Sequence, residues 1–147
     1  MNVLDAEVLS VETDGTLSLV AMAAGGLRLS ALLVESGASC DYLTAGSKVQ
    51  ALFKETEVAI ARDLGGAISL ANRFTAVISE VRTSGILSEI FLDTECDQRV
   101  VSIITAKSAA RLELGEGDKV EWLVKSNEIS IKGRQREAGS VLNEETP

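Results

Sequence analysis

Asn2-Val3-Leu4-Asp5-Ala6-Glu7-Val8-Leu9-Ser10-Val11-Glu12-Thr13-Asp14-Gly15-Thr16-Leu17 is read a second time as Asn72-Arg73-Phe74-Thr75-Ala76-Val77-Ile78-Ser79-Glu80-Val81-Arg82-Thr83-Ser84-Gly85-Ile86-Leu87. Asn2, Ala6, Val8, Val11, Thr13, Gly15 and Leu17 return as Asn72, Ala76, Ile78, Val81, Thr83, Gly85 and Leu87, each 70 positions on. Each stretch is extended and rich in β-branched residues, then ends at a turn pair, Asp14-Gly15 or Ser84-Gly85. Farther along, Gly46, Lys48, Val49, Lys54, Val58 and Ile60 return as Gly117, Lys119, Val120, Lys125, Ile129 and Ile131, each 71 positions on. One residue inserted in the middle loop of the second copy explains the change of spacing. Two copies at so long a period predict two small domains of one fold rather than a solenoid. Paired copies also make a pseudo-symmetric surface, which favours assembly.

Within each copy the pattern is strand, turn, strand. Leu27, Leu29, Ala31 and Leu33 alternate with Arg28, Ser30 and Leu32, and Val49, Ala51 and Phe53 alternate along Lys48–Lys54. In the second copy Val120, Trp122 and Val124 share one face, so Trp122 belongs to the core. Between the third and fourth strands, the less regular Glu35–Leu43 reads as holding a helical turn and Ala106–Leu112 as one or two. Five short strands with that turn predict an all-β chain: two tandem OB-like five-stranded Greek-key barrels, each with a short helical turn. The expected boundaries are residues 1–63 and 69–132, joined by Leu64–Ile68, with a disordered polar tail over 133–147.

Composition narrows the function. Of the 147 residues, 46% are apolar but only 3% aromatic, so the core is aliphatic and few rings remain for stacking on bases. The formal charge of −8 works against phosphate backbones, and no nucleic-acid partner is expected. The absence of histidine removes the commonest general base and metal ligand. With no nucleophile–base arrangement and no informative carboxylate pair, no enzyme is expected. Cys40 and Cys96 occupy non-equivalent repeat positions and read as reduced, buried thiols. Gly115-Glu116-Gly117 is a turn, not a phosphate loop. No secretory pattern or membrane-length apolar run is present, so a cytoplasmic protein without membrane contact is expected.

Three segments of the second copy carry a resemblance: Ser69-Leu70-Ala71-Asn72 before its first strand, Ile104-Thr105-Ala106-Lys107-Ser108-Ala109-Ala110-Arg111-Leu112 at its helical turn, and Leu123-Val124-Lys125-Ser126 ending its fourth strand. They resemble the molbindin family, the small molybdate-binding domains also called Mop or TOBE domains. The resemblance implies a bound oxyanion, molybdate or tungstate, between copies or subunits, and no catalytic cofactor. It carries the oxyanion-binding role onto Ser69 and Asn72, Thr105 and Ser108, and Lys125 and Ser126, with Lys54 as the surviving first-copy lysine. It also implies a closed homo-oligomer, a trimer before a dimer, that buffers or stores the anion. The alternative is a sensing module like those ending molybdate-responsive regulators and molybdate-transport ATPases.

The chain departs from the family pattern in three places. Ala71 stands where the family has arginine, removing a cation. The first-copy counterparts of Thr105 and Ser108 are Val34 and Gly37. Lys54 is followed by Glu55 where the second copy has Ser126. Taken without the resemblance, Thr105 and Ser108 also have N-cap and N3 spacing, Lys54 and Lys125 could be solvated strand ends, and Ser69 and Asn72 ordinary linker polarity.

Overall fold

A computed structural model describes residues 1–34 and 43–134. The helical turn expected over Glu35–Leu43, the Gly37 position and Cys40 thus fall largely outside the described residues. Among the described residues there are ten strands: β1 (Asn2–Asp14), β2 (Leu17–Ala24), β3 (Leu27–Leu33), β4 (Lys48–Phe53), β5 (Ala59–Ala61), β6 (Asn72–Ser84), β7 (Leu87–Asp93), β8 (Val100–Thr105), β9 (Lys119–Val124) and β10 (Ser130–Gly133). A short helix, α1 (Ala106–Arg111), follows β8, and 3-10 turns at Glu55–Glu57 and Ser126–Glu128 precede β5 and β10. The strands form two five-stranded sheets of OB type.

The long first strand of each copy serves two neighbours. β1 pairs with β4 over Asn2–Glu7 and with β2 from Glu7 to Asp14; β6 repeats this with β9 and β7. A bulge at the changeover, between Val8 and Ser10 and between Ile78 and Glu80, bends the strand so that it can belong to both. The same backbone bonds brace both bulges: Val8 N–H donates to Ser47 and Ile78 N–H to Asp118, at 2.9 Å each.

The sheets do not coincide with the sequence copies. Their orders are β10-β4-β1-β2-β3 and β5-β9-β6-β7-β8, so each copy gives its last strand to the other. Ile131 faces Ala51 in one exchange, and Ile60 faces Trp122 in the other. The connection explains why. β5 and β6 flank β9, so the chain between Ala61 and Asn72 need only span two strand spacings, roughly 10 Å. Two arginines pin that connection. Arg62 donates to the carbonyls of Leu112 and Glu113, at 2.8 Å each, and pairs with Asp118. Arg73 donates to Leu64 O at 2.8 Å and pairs with Glu121 at 2.7 Å. Gly133 ends β10 and Arg134 N–H donates to Lys48 O, so these first two positions of the expected tail belong to the sheet; the rest of it lies outside the described residues.

The exchange merges the interiors into one aliphatic core. Trp122 is fully buried in it, stacked on Phe53 of the other sheet at 5.8 Å and tilted against Phe74 at 5.0 Å. The Cys96 thiol is buried, as expected. Its backbone packs on Gly25, where a Cβ would lie 2.7 Å from Cys96 Cα.

Candidate functional site

The Ser69–Ala71 segment leads into β6, and Lys125 and Ser126 leave β9, the strand paired with β6. Antiparallel pairing of Asn72 with Val124 therefore sets the start of one segment beside the end of the other. Between them is a cleft of about 350 Å³, lined by Leu32, Ser69, Leu70, Ala71, Lys125, Ser126 and Asn127. That is the low end of ligand-pocket volumes, about 300–1,000 Å³. Leu32 comes from β3 of the other sheet, so the cleft lies at the seam between barrels. Lys125 is exposed and forms no salt bridge among the described residues. Ser126 is partly buried, and its hydroxyl donates to the Ser30 hydroxyl at 3.3 Å.

Asn72 stands under this cleft but holds nothing for a ligand. It is completely buried. Its amide donates to Ser30 O at 2.9 Å and Val124 O at 3.0 Å, while its Oδ1 accepts from Ser30 N–H at 2.7 Å. Both amide hydrogens are committed, so Asn72 clamps β3 instead of joining the free donors. Asn2 does the same to β8: its Nδ2 donates to Val101 O at 2.9 Å, and its Oδ1 accepts from Val101 N–H at 2.8 Å. The repeat shows that the two asparagines correspond. Their partners lie in the opposite copy, and no local pattern points to them.

The remaining expected residues are elsewhere. Thr105 is the N-cap of α1 and accepts from Ser108 N–H at 3.1 Å, so the capping role holds for this pair. Neither lines the cleft of its own chain. Lys54 lines a second cavity, of about 240 Å³, with Met1, Leu52, Phe53, Glu57, Asn127, Glu128 and Ser130. Glu57 and Glu128, equivalent in the repeat, share a hydrogen bond in this region. That bond, joined by one from the Lys54 backbone, holds Glu57 below the usual glutamate range. The same bond and the Glu57 charge raise Glu128, against the pull of Lys125 and Lys54. Glu55, at the position equivalent to Ser126, pairs with the amino group of Met1, which lowers its carboxyl.

No described group of three or more His, Cys, Asp or Glu side chains could hold a metal ion. No described helix is long and apolar enough to cross a membrane.

The architecture defines a tandem OB-type protein with exchanged last strands and a small polar cleft at the seam. Comparison with known proteins agrees. The TOBE domain family matches residues 68–131. The molybdenum-pterin-binding protein MopB of Rhodobacter capsulatus is 30% identical over 127 residues, 85% of this chain. The chain spans about half of that relative, 47% of its length. A solved structure of the cytoplasmic molybdate-binding protein ModG with molybdate bound superposes with a TM-score of 0.86, covering 90% of this chain and 96% of that one at 24% identity. A solved molybdate-binding protein from Sporomusa ovata is 34% identical, covers 42% of this chain and 90% of its own, and has a TM-score of 0.40. Its second copy matches the TOBE domain family, and the chain is similar to molbindin, or Mop-like, proteins.

Proposed function

We propose that this chain is a binding protein rather than an enzyme, and that it takes up molybdate or tungstate at the seam between its barrels. The observation that carries the reading is the convergence of Ser69, Lys125 and Ser126 on one small cleft. A tetrahedral dianion only accepts hydrogen bonds. It is served by hydroxyls and an ammonium group, and harmed by nearby carboxylates. Lys125 supplies a charge without a salt-bridge partner among the described residues, and the chain-wide negative charge is screened beyond about 10 Å. The names of the relatives, molybdenum-pterin-binding and molybdate-binding, support this ligand class.

We also propose buffering or storage in the cytoplasm and a closed homo-oligomer, with a trimer favoured by the family resemblance. Two observations support assembly. Thr105 and Ser108 lie away from the cleft of their own chain, so a neighbouring chain would be needed to bring such a pair to it. Leu19, Leu32 and Val34 are exposed on β2 and at the end of β3, beside the cleft. Calorimetric titration of the full chain with molybdate, tungstate and sulfate tests the binding. Heat is expected from the first two at micromolar protein, with sulfate much weaker. No heat from either metal oxyanion overturns the reading.

A further inference from the structure

We infer that Ser30, a first-copy residue, is a further binding residue for the oxyanion and acts together with Ser126 from the second copy. This rests on the proposed oxyanion reading. Ser30 lies on β3, two positions before Leu32, so by strand alternation both project from the same face. Leu32 lines the cleft, and the Ser30 hydroxyl meets the hydroxyl of another lining residue, Ser126, at 3.3 Å. While Ser126 donates to it, Ser30 still has its own hydrogen to give. Two hydroxyls this close can point at neighbouring oxygens of one tetrahedral anion once their rotors turn.

Ser30 is also held in place. Asn72 binds both its N–H and its carbonyl, at 2.7 and 2.9 Å, so the backbone beneath the hydroxyl is fixed from the opposite sheet. A donor held this way loses little further freedom on binding. Asn72 is then a positioning residue: it acts on the anion through Ser30.

The other half of the molecule supplies an internal contrast. Asn2 makes the same two-bond clamp on Val101, the repeat counterpart of Ser30. There the hydroxyl is replaced by methyl groups, and the counterpart of Ser126 is Glu55, a carboxylate that bears no hydrogen to donate and repels a dianion. The same backbone frame therefore carries two hydroxyl donors on one side of the pseudo-symmetric pair and neither on the other.

The test compares Ser30→Thr with Ser30→Val, two side chains of one shape that differ by the hydroxyl. Val101 shows that this clamp accepts valine, so both variants are expected to fold, and thermal melting checks it. Titration with molybdate should give near-unchanged affinity for Ser30→Thr and a loss of roughly tenfold for Ser30→Val, matching the loss in Ser126→Ala. Equal affinity in both Ser30 variants, with Ser126→Ala still weakened, overturns the role of Ser30 and leaves the oxyanion reading standing. An unmutated chain that gives no heat with molybdate or tungstate overturns both.

Discussion

Asn2 and Asn72 make equivalent clamps: each side-chain amide bonds both the N–H and the carbonyl of one residue on the opposite copy's third strand, Val101 for Asn2 and Ser30 for Asn72, and Asn72 also donates to Val124 O. Both are buried, at 4% and 0% exposure, so the bonds are made out of reach of water. Truncating Asn72 to alanine strands an N–H and two carbonyls at the seam. At about 1–3 kcal/mol for a buried group left unpaired, Asn72→Ala should cost about 2–4 kcal/mol. Asn2→Ala should cost somewhat less, since it frees one carbonyl fewer. Denaturant unfolding checks this; a loss under about 1 kcal/mol in both would mean the clamps are ornamental.

The cleft predicts an asymmetric response to charge. Lys125→Ala and Ser126→Ala should each weaken molybdate binding about tenfold, the scale of one hydrogen bond to a charged group, with little change in melting temperature. Ala71→Arg, which places a guanidinium on the cleft wall, should tighten binding. Unchanged affinity in the two alanine variants would remove the second-copy lysine and serine from the site.

The strand order within each barrel was readable from alternation and turns, because those signals are local. The exchange of last strands was not. Ala59–Ala61 and Ser130–Gly133 can each add to either β4 or β9, which are themselves repeat equivalents, so only the path of the connection decides. The site divides in the same way. Ser69, Lys125 and Ser126 stood out because whole segments resembled a family, and strand pairing brings those segments together. Ser30 sat in a plain alternating strand, and its importance comes from a partner 96 positions away. Asn72 stood out by position, but its commitment to β3 needs the three-dimensional seam.

Gly25 is fixed by backbone geometry and by space. Its φ of +58° is left-handed, and an added Cβ would meet the Cys96 backbone at 2.7 Å. Neither atom belongs to a flexible side chain, so the β2–β3 turn would have to move away from the loop after β7. Gly25→Ala should cost about 2–5 kcal/mol, combining left-handed strain of about 1–2 with overpacking of about 1–3. Gly15, also left-handed but with open space around it, should lose only the strain part when changed to alanine. Equal losses at the two sites would contradict the contact.

Trp122 joins the two barrels through Phe53. Fully buried and flanked by two rings, it should cost about 3–5 kcal/mol when cut to alanine. Because the core is continuous across the sheets, both copies should unfold together in the variant, in one transition at lower denaturant. Two separated transitions would show that the barrels can melt alone.

Glu57 and Glu128 give the seam a pH dependence whose sign can be worked out. Glu128 is raised above its ordinary value of 4.5 by the hydrogen bond to Glu57 and by that residue's charge. A raised acid binds its proton more tightly when folded. Its contribution to stability is present below the ordinary value and lost as pH climbs through the raised one. Glu57 is lowered by the same bond, so its contribution is present above the ordinary value and lost as pH falls through the lowered one. The pair is thus most favourable with a single proton, near the ordinary glutamate range, and repels itself at neutral pH. Lys54 and Lys125 face the pair and soften that repulsion, and Glu55 is engaged with Met1. Glu128→Gln keeps a donor to Glu57 and removes the second charge. Its melting temperature should exceed that of the unmutated chain near pH 7, and the gap should close as pH falls toward the ordinary glutamate value. A gap that stays constant across that range would mean the two carboxyls do not share a proton.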